Sequence, residues 1–223
     1  MTLTGEEAHH VVVVSRMRRG ERVLVSDGLG TLADGFIDRA DRDGVDVVLY
    51  RVETIPAPTP RIGLAPALAK GDRAELAVQA STELGVDAIV PWQARRSAVQ
   101  WKGERGDEAL ERWRKIVREA GKQAIRPRLP EVEAAVDTGG LAALADAWRL
   151  VVLDPAADAS IGDVPLDRDV LLVVGPEGGI DETELERLDA ADAVRARMSD
   201  HVLRTSTAGL AGIAALSVRL GRW

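Results

Sequence analysis

The residues best suited to chemistry in this chain lie in two short stretches of its last third. The first, Gly175-Pro176-Glu177-Gly178-Gly179, joins a proline of fixed φ to glycines that admit backbone conformations closed to other residues. Such a loop can hold main-chain N–H groups bare against a ligand. The second runs from Ser199 to Thr207 and mixes hydroxyls, a histidine, an apolar step at Val202-Leu203, and Arg204. Each follows a strand-like segment, and loops leaving the carboxyl ends of parallel strands are where open α/β sheets bind ligands. Either loop alone is equally compatible with an ordinary βα turn. Other chemistries find no support. No G-x-G-x-x-G follows a strand, and no Walker A, H-E-x-x-H or G-x-S-x-G pattern occurs. The chain has no cysteine and three histidines, so thiolate catalysis, disulfides and most zinc sites are excluded, and no metal is expected.

The elements that must position these loops are legible. Val170-Leu171-Leu172-Val173-Val174 is an unbroken apolar run, as in a parallel strand buried on both faces. Asp181 is a good N-cap with Glu184 three residues on, so a helix opens there with a capping box. A strand is expected over Ala193–Met198, and an apolar helix from Ala208 to about Leu220 that must be buried against its sheet or another subunit. Upstream, Ile62–Ala65, Val86–Pro91 and Trp148–Leu153 read as strands. Ala74–Leu84, ended by Gly85, and Glu108–Gln123 read as helices. Strands alternating with helices give an α/β domain on a mostly parallel sheet.

Residues 1–55 read as a small all-β unit: Val11–Val14, Glu21–Val25, Thr31–Ile37 and Val45–Val52, with a turn at Asp27-Gly28. Residues 56–60 hold three prolines and form the linker, leaving 61–223 for the α/β domain. Apolar content of 46% and charged content of 29% are those of a globular chain. No run of about 18 apolar residues marks a membrane span, and no signal pattern opens the chain, so a cytoplasmic address is expected. The formal net charge of −7 hides an uneven distribution. Between Arg95 and Arg128 eleven Lys and Arg face five Asp and Glu, which suits either a phosphate-contacting face or a solvated helix.

The two loops together, as GPEGG and LRTSTA, resemble the SPOUT class of RNA methyltransferases, and within it the 16S rRNA uridine-N3 methyltransferase family. The stretch "KGDRAELAVQASTELGVDAIVP", the Arg95-Arg96-Ser97 segment and the Glu119, Gln123, Arg126 pattern carry the likeness through most of the chain. The resemblance implies a knotted α/β methyltransferase domain (a trefoil knot) behind a small β-barrel PUA-like domain that binds RNA. It implies S-adenosylmethionine as cofactor, held by Leu153, Gly175, Glu177, Gly178, Met198, Ser199, Val202, Leu203 and Thr207. It implies 16S rRNA of the small ribosomal subunit as partner, and a homodimer. Arg16, Arg18, Arg19, Arg95 and Arg96 are the expected RNA contacts. His9 and His10 match a family histidine pair, as strand caps or RNA contacts. Glu83 is expected to be a buried cap or ion pair. For the chemistry, Arg204 is the first candidate to stabilise the charge that develops on a deprotonated uridine, and Arg126 the second. The family's "ETA" glutamate is Ser206 here, and serine cannot replace a carboxylate as a base. Water, Glu177 or Asp200 stay open as proton acceptors. Two other readings are a SPOUT enzyme with another RNA target, and a non-catalytic RNA-binding or ribosome-assembly protein.

Overall fold

The computed structural model describes residues 1–41 and 43–223. The chain divides into two compact units. One comprises Met1–Ala57 with Arg126–Arg128; the other comprises Pro58–Ile125 and Leu129–Trp223.

The first unit holds strands β1 (Thr2–Leu3), β2 (Arg22–Ser26), β3 (Thr31–Asp41) and β4 (Gly44–Thr54), antiparallel in the order β1-β4-β3-β2. Two expectations are corrected. A strand forms at Thr2–Leu3, where none was read, and pairs with Asp46 and Val45. The valine run is not a strand: helix α1 (Gly5–His9) continues into a π-helical turn, His10–Val14. The β-branched residues favour a strand locally. Burial overrides that preference, because Ala8 and Val11, three residues apart on one helical face, pack with Ile37, Val45 and Val47. His9 and His10 are therefore exposed helical residues, not strand caps. Arg126–Arg128 joins this unit from far along the chain. Gly30 N donates to Pro127 O at 2.9 Å, Ser26 Oγ to the same oxygen at 3.1 Å, and Arg128 Nε to Ile55 O at 3.0 Å. Gly30 has φ +110°, a conformation that favours glycine, and a Cβ there would also displace the Arg128 guanidinium.

The second unit is an α/β domain. Strands β5 (Ile62–Pro66), β6 (Ala88–Ile89), β7 (Glu131–Val132), β8 (Arg149–Leu153), β9 (Val170–Val174) and β10 (Val194–Ala196) make a six-stranded parallel sheet in the order β10-β8-β9-β5-β6-β7. Its helices are α2 (Asp72–Glu83), α3 (Gly103–Gln123), α4 (Thr138–Ala143), α5 (Glu182–Asp189) and α6 (Thr205–Arg219). All five residues of β9 are buried. Val78, Trp113, Val117, Ile213 and Leu216 from α2, α3 and α6 pack in one core with Leu172. Leu141 of α4 and Leu188 of α5 pack in the other with Leu171 and Val173. The sheet is thus covered on both faces.

Helix α6 begins at Thr205, three residues before the expected start, with Arg204 as its N-cap. A Cβ at Gly209 would stand 2.7 Å from Leu64 Cδ1, and one at Gly212 would stand 2.9 Å from Leu172 Cδ1, so these glycines seat the helix directly on β5 and β9. Glu83 is not buried: it lies on the exposed side of α2 and accepts from Gln79 Nε2 at 2.9 Å.

Candidate active site

A cavity of about 570 Å³ opens at the carboxyl ends of β5, β8 and β9. Leu153 and Asp154 reach it from β8, Val174 and Gly175 from β9, and Pro66 and Ala67 from β5. Met198, Ser199, Val202, Leu203 and Arg204 enclose it from the loop after β10, and Ala74 and Ala77 from α2. Among the described residues, Val202 and Leu203 donate no main-chain hydrogen bond within the protein, which leaves two backbone donors beside an apolar wall. Thr205 Oγ1 donates to Gly175 O at 3.1 Å and ties the start of α6 to the glycine loop. Ser199 Oγ donates to His201 O at 3.0 Å and accepts from His201 N at 3.1 Å, fixing the turn that precedes Val202.

The charged groups on the cavity wall are largely committed. Glu177 lies 3.8 Å from Arg73. Asp154 accepts from Ala156 N at 2.9 Å and lies 3.7 Å from Arg195 Nη1. Arg195 also pairs with Asp189, whose carboxylate keeps the guanidinium protonated even more firmly than usual. Arg204 lines the cavity and, among the described residues, forms no ion pair there.

Behind the glycine loop stands a network centred on Glu184, which is 3% exposed. Its carboxylate accepts from Thr138 Oγ1 at 2.5 Å, from Arg95 N at 3.0 Å and from Asp181 N at 3.3 Å. Trp92 Nε1 donates to the same Thr138 oxygen at 3.3 Å. The capping box read from Asp181 and Glu184 is present. Asp181 accepts from the Thr183 hydroxyl, the largest of the effects that hold its carboxyl below the usual range, and Arg95 and Arg96 add to it. Burial of a carboxylate is tolerated here because every oxygen has donors.

A family profile described as an RNA methyltransferase domain matches residues 56–217, and one described as an RNA methyltransferase PUA domain matches residues 3–50. The ribosomal RNA small subunit methyltransferase E of Mycobacterium bovis is 38% identical over 98% of this chain and 86% of its own length. That of Bacillus subtilis is 34% identical over 97% and 89%. The crystal structure of the Neisseria gonorrhoeae enzyme of that name, bound to S-adenosylmethionine, superposes with a TM-score of 0.90 at 26% identity, covering 98% of this chain and 91% of the other. The chain belongs to the RNA methyltransferase family.

Within that RNA methyltransferase domain the cavity brings together Leu153, Gly175, Glu177, Met198, Ser199, Val202, Leu203 and Arg204. Gly178 and Thr207 lie outside the lining. Gly178 O accepts from Arg96 Nη1 at 3.1 Å, and Thr207 Oγ1 donates to Arg204 O at 3.1 Å. Arg126 is grouped with the first unit and is not part of the lining. Arg95 and Arg96 pair with Asp181 at 3.1 and 3.3 Å and brace the glycine loop while staying largely exposed. In the first unit Arg19 pairs with Asp38 at 3.0 Å, Arg18 N donates to Glu21 at 3.2 Å, and Arg16 is exposed. Sequence reasoning missed Arg73, Ala74 and Ala77. Their helix was legible, but its spacing does not say which end faces the cavity. It also missed Asp154, which was read only as a strand end. Among the described residues no cluster of His, Asp and Glu could hold a metal ion.

Proposed function

We infer that this chain is an S-adenosylmethionine-dependent rRNA methyltransferase, and we propose that it methylates N3 of a uridine in the 16S rRNA of the small ribosomal subunit. The observation that carries this reading is the cavity at the strand ends, where an apolar wall, open main-chain donors and Arg204 converge. The names of its relatives and the cofactor bound by its structural neighbour support it.

The residues fit the cofactor. Leu153, Met198, Val202 and Leu203 form the flat apolar surface an adenine needs, with the Val202 and Leu203 N–H groups beside it. Arg73, Asp154 and Glu177 offer both signs of charge to an amino-acid end. S-adenosylmethionine supplies a methyl that its sulfonium already makes electrophilic. The protein's part is to hold the nucleophile in line with it. Uridine N3 becomes nucleophilic once its imide proton leaves, and the charge then spreads over O2 and O4. Arg204, the guanidinium on the cavity wall without an ion pair among the described residues, stabilises that charge. N3 lies on the Watson–Crick edge, so the uridine must be unpaired or flipped out. Arg16, Arg18 and Arg19, with Arg95 and Arg96, are the phosphate contacts of this reading.

The outer side of α6 leaves Leu210, Ala211 and Ala214 half-buried and Val218 exposed. We assign that surface to a homodimer, which light scattering at working concentration tests. The trefoil knot belongs to the same reading, in the region from Val170 to Leu220. So does a cytoplasmic location, beside the ribosomal subunits.

The test is nucleoside mass spectrometry. Small subunits from cells lacking this protein are incubated with it and S-adenosylmethionine, then digested. New 3-methyluridine is expected. Another methylated nucleoside moves the target to a different base or a 2′-hydroxyl. No product and no cofactor binding would favour a non-catalytic RNA-binding protein.

A further inference from the structure

Phe36 and Tyr50 are the only phenylalanine and the only tyrosine in the chain. A folding chain gains most by burying such rings, yet both lie on the water face of the four-stranded sheet, 42% and 50% exposed. Their centroids are 5.1 Å apart with the planes tilted by 31°. Phe36 stands between Arg22 of β2 and Val48 of β4 in the ladder. The pairing slips between Asp34 and Gly35, so that Leu49 and Arg51 oppose neighbouring residues of β3 and Tyr50 is the extra residue of a bulge. A bulge of this kind re-aims a side chain. Here Tyr50 lies against Phe36, and Arg22 Nη2 donates to its hydroxyl at 2.9 Å. Leu24 and Val48, both exposed and on the same face as Phe36, extend the apolar surface around the pair.

The charges on this face are matched in pairs. Asp34 lies 3.7 Å from Arg22 and 3.9 Å from Arg51, and Arg51 meets Glu53 at 2.5 Å. Each carboxylate orients a guanidinium that remains mostly in water. The face therefore offers little net attraction to a phosphate backbone as such. What it offers is two aromatic rings, an apolar margin and arginine planes set at fixed positions, a combination suited to unstacked bases.

We propose that the Phe36–Tyr50 face is a stacking platform for unpaired bases of the substrate RNA, with Arg22 holding the Tyr50 ring in place and adding a planar cation at its rim. The proposal rests on the RNA methyltransferase reading and goes beyond its phosphate contacts. It names a different set of residues and a different class of contact, sensitive to strandedness more than to salt. The docked strand contributes bases that flank the target, not the uridine that reacts.

The test uses the full chain and fluorescein-labelled oligoribonucleotides read by anisotropy: single-stranded oligouridylate and oligoadenylate, and a duplex of equal length. Phe36→Ala and Tyr50→Ala should each weaken single-strand binding by about 5- to 160-fold, the range of one lost base–aromatic stack. Duplex binding, S-adenosylmethionine affinity and melting temperature should stay unchanged. Tyr50→Phe keeps the ring and should retain most of the affinity. Unchanged single-strand affinity in both alanine variants, or an equal loss for single strand and duplex, would overturn the proposal. A drop in the mass measured by light scattering for Phe36→Ala would also overturn it, giving the face to a second copy of the chain. Failure of the methyltransferase reading would look different: no cofactor uptake and no methylated nucleoside, with the ring-dependent binding intact.

Discussion

The two sheets of this protein meet water differently, and the contrast decides where each can work. In the first unit Ala33, Gly35 and Ile37 of β3 are buried while Phe36 between them and Asp38 after them are exposed. That sheet has one packed face and one free face. In the second unit β9 is buried along its whole length, with helices on both sides. A sheet so covered can meet a ligand only at its strand ends, which is where the cavity opens. The first sheet can meet one across its width. The covered parallel sheet thus gives a concave site for a small molecule, and the half-open antiparallel sheet a flat platform for a polymer.

Substitutions can break this contrast or sharpen it. Leu172→Ala, in the strand buried on both faces, should cost about 2–5 kcal/mol in urea unfolding. Its counterpart on the free face, Val48→Ala, should stay within about 0.5 kcal/mol. Similar losses for the two would mean that the free face is covered in solution. At the strand ends, Arg204→Ala should lower single-turnover methylation about 10²- to 10³-fold, with S-adenosylmethionine affinity by calorimetry within a few-fold. An equal loss of cofactor affinity would assign Arg204 to the pocket instead. Glu184→Gln replaces one oxygen of a buried acceptor by a donor that faces the N–H or hydroxyl of Thr138, Arg95 or Asp181. It should cost about 1–3 kcal/mol, seen as a lower melting temperature.

The smallest effect is a pH dependence. The folded state holds the Asp181 carboxyl below its ordinary value. Its contribution is therefore fully present above the unfolded carboxylate range, about pH 3.9, and is lost as pH falls through the lower folded value. Thermal melts of Asp181→Asn should show a shallower loss of stability below about pH 4 than melts of the parent protein. Parallel curves would mean that other carboxylates carry the acid sensitivity.

The covered sheet was the more legible of the two. An unbroken run such as Val170–Val174 has few alternatives, and the structure places β9 on those five residues. The Asp181–Glu184 cap was equally plain, since it rests on side-chain chemistry local to four residues of sequence. The wet sheet was harder. The segments of β2, β3 and β4 were read as strands, but Val11–Val14 misled, because strand propensity pointed one way and the packing of Ala8 with Val11 pointed the other. The cavity's loop side was readable from two motifs. Its α2 side, with Arg73 and Ala77, depends on tertiary placement that no local pattern encodes. Arg95 and Arg96 show the same limit: sequence marks them as cations, and only the structure reveals Asp181 between them.

The return of Arg126–Arg128 to the first unit sets a schedule for synthesis. The strand pairing β1-β4-β3-β2 is encoded before Ala57, yet the Gly30 N–H, the Ser26 hydroxyl and the Ile55 carbonyl wait for Pro127 and Arg128. The intervening residues 58–125 take roughly 3–14 s to translate, since elongation runs at about 5–20 residues per second. Throughout that interval the nascent first unit is an unfinished fold, exposed to chaperones and proteases. An expression fragment stopped at Ala57 would make that waiting state permanent.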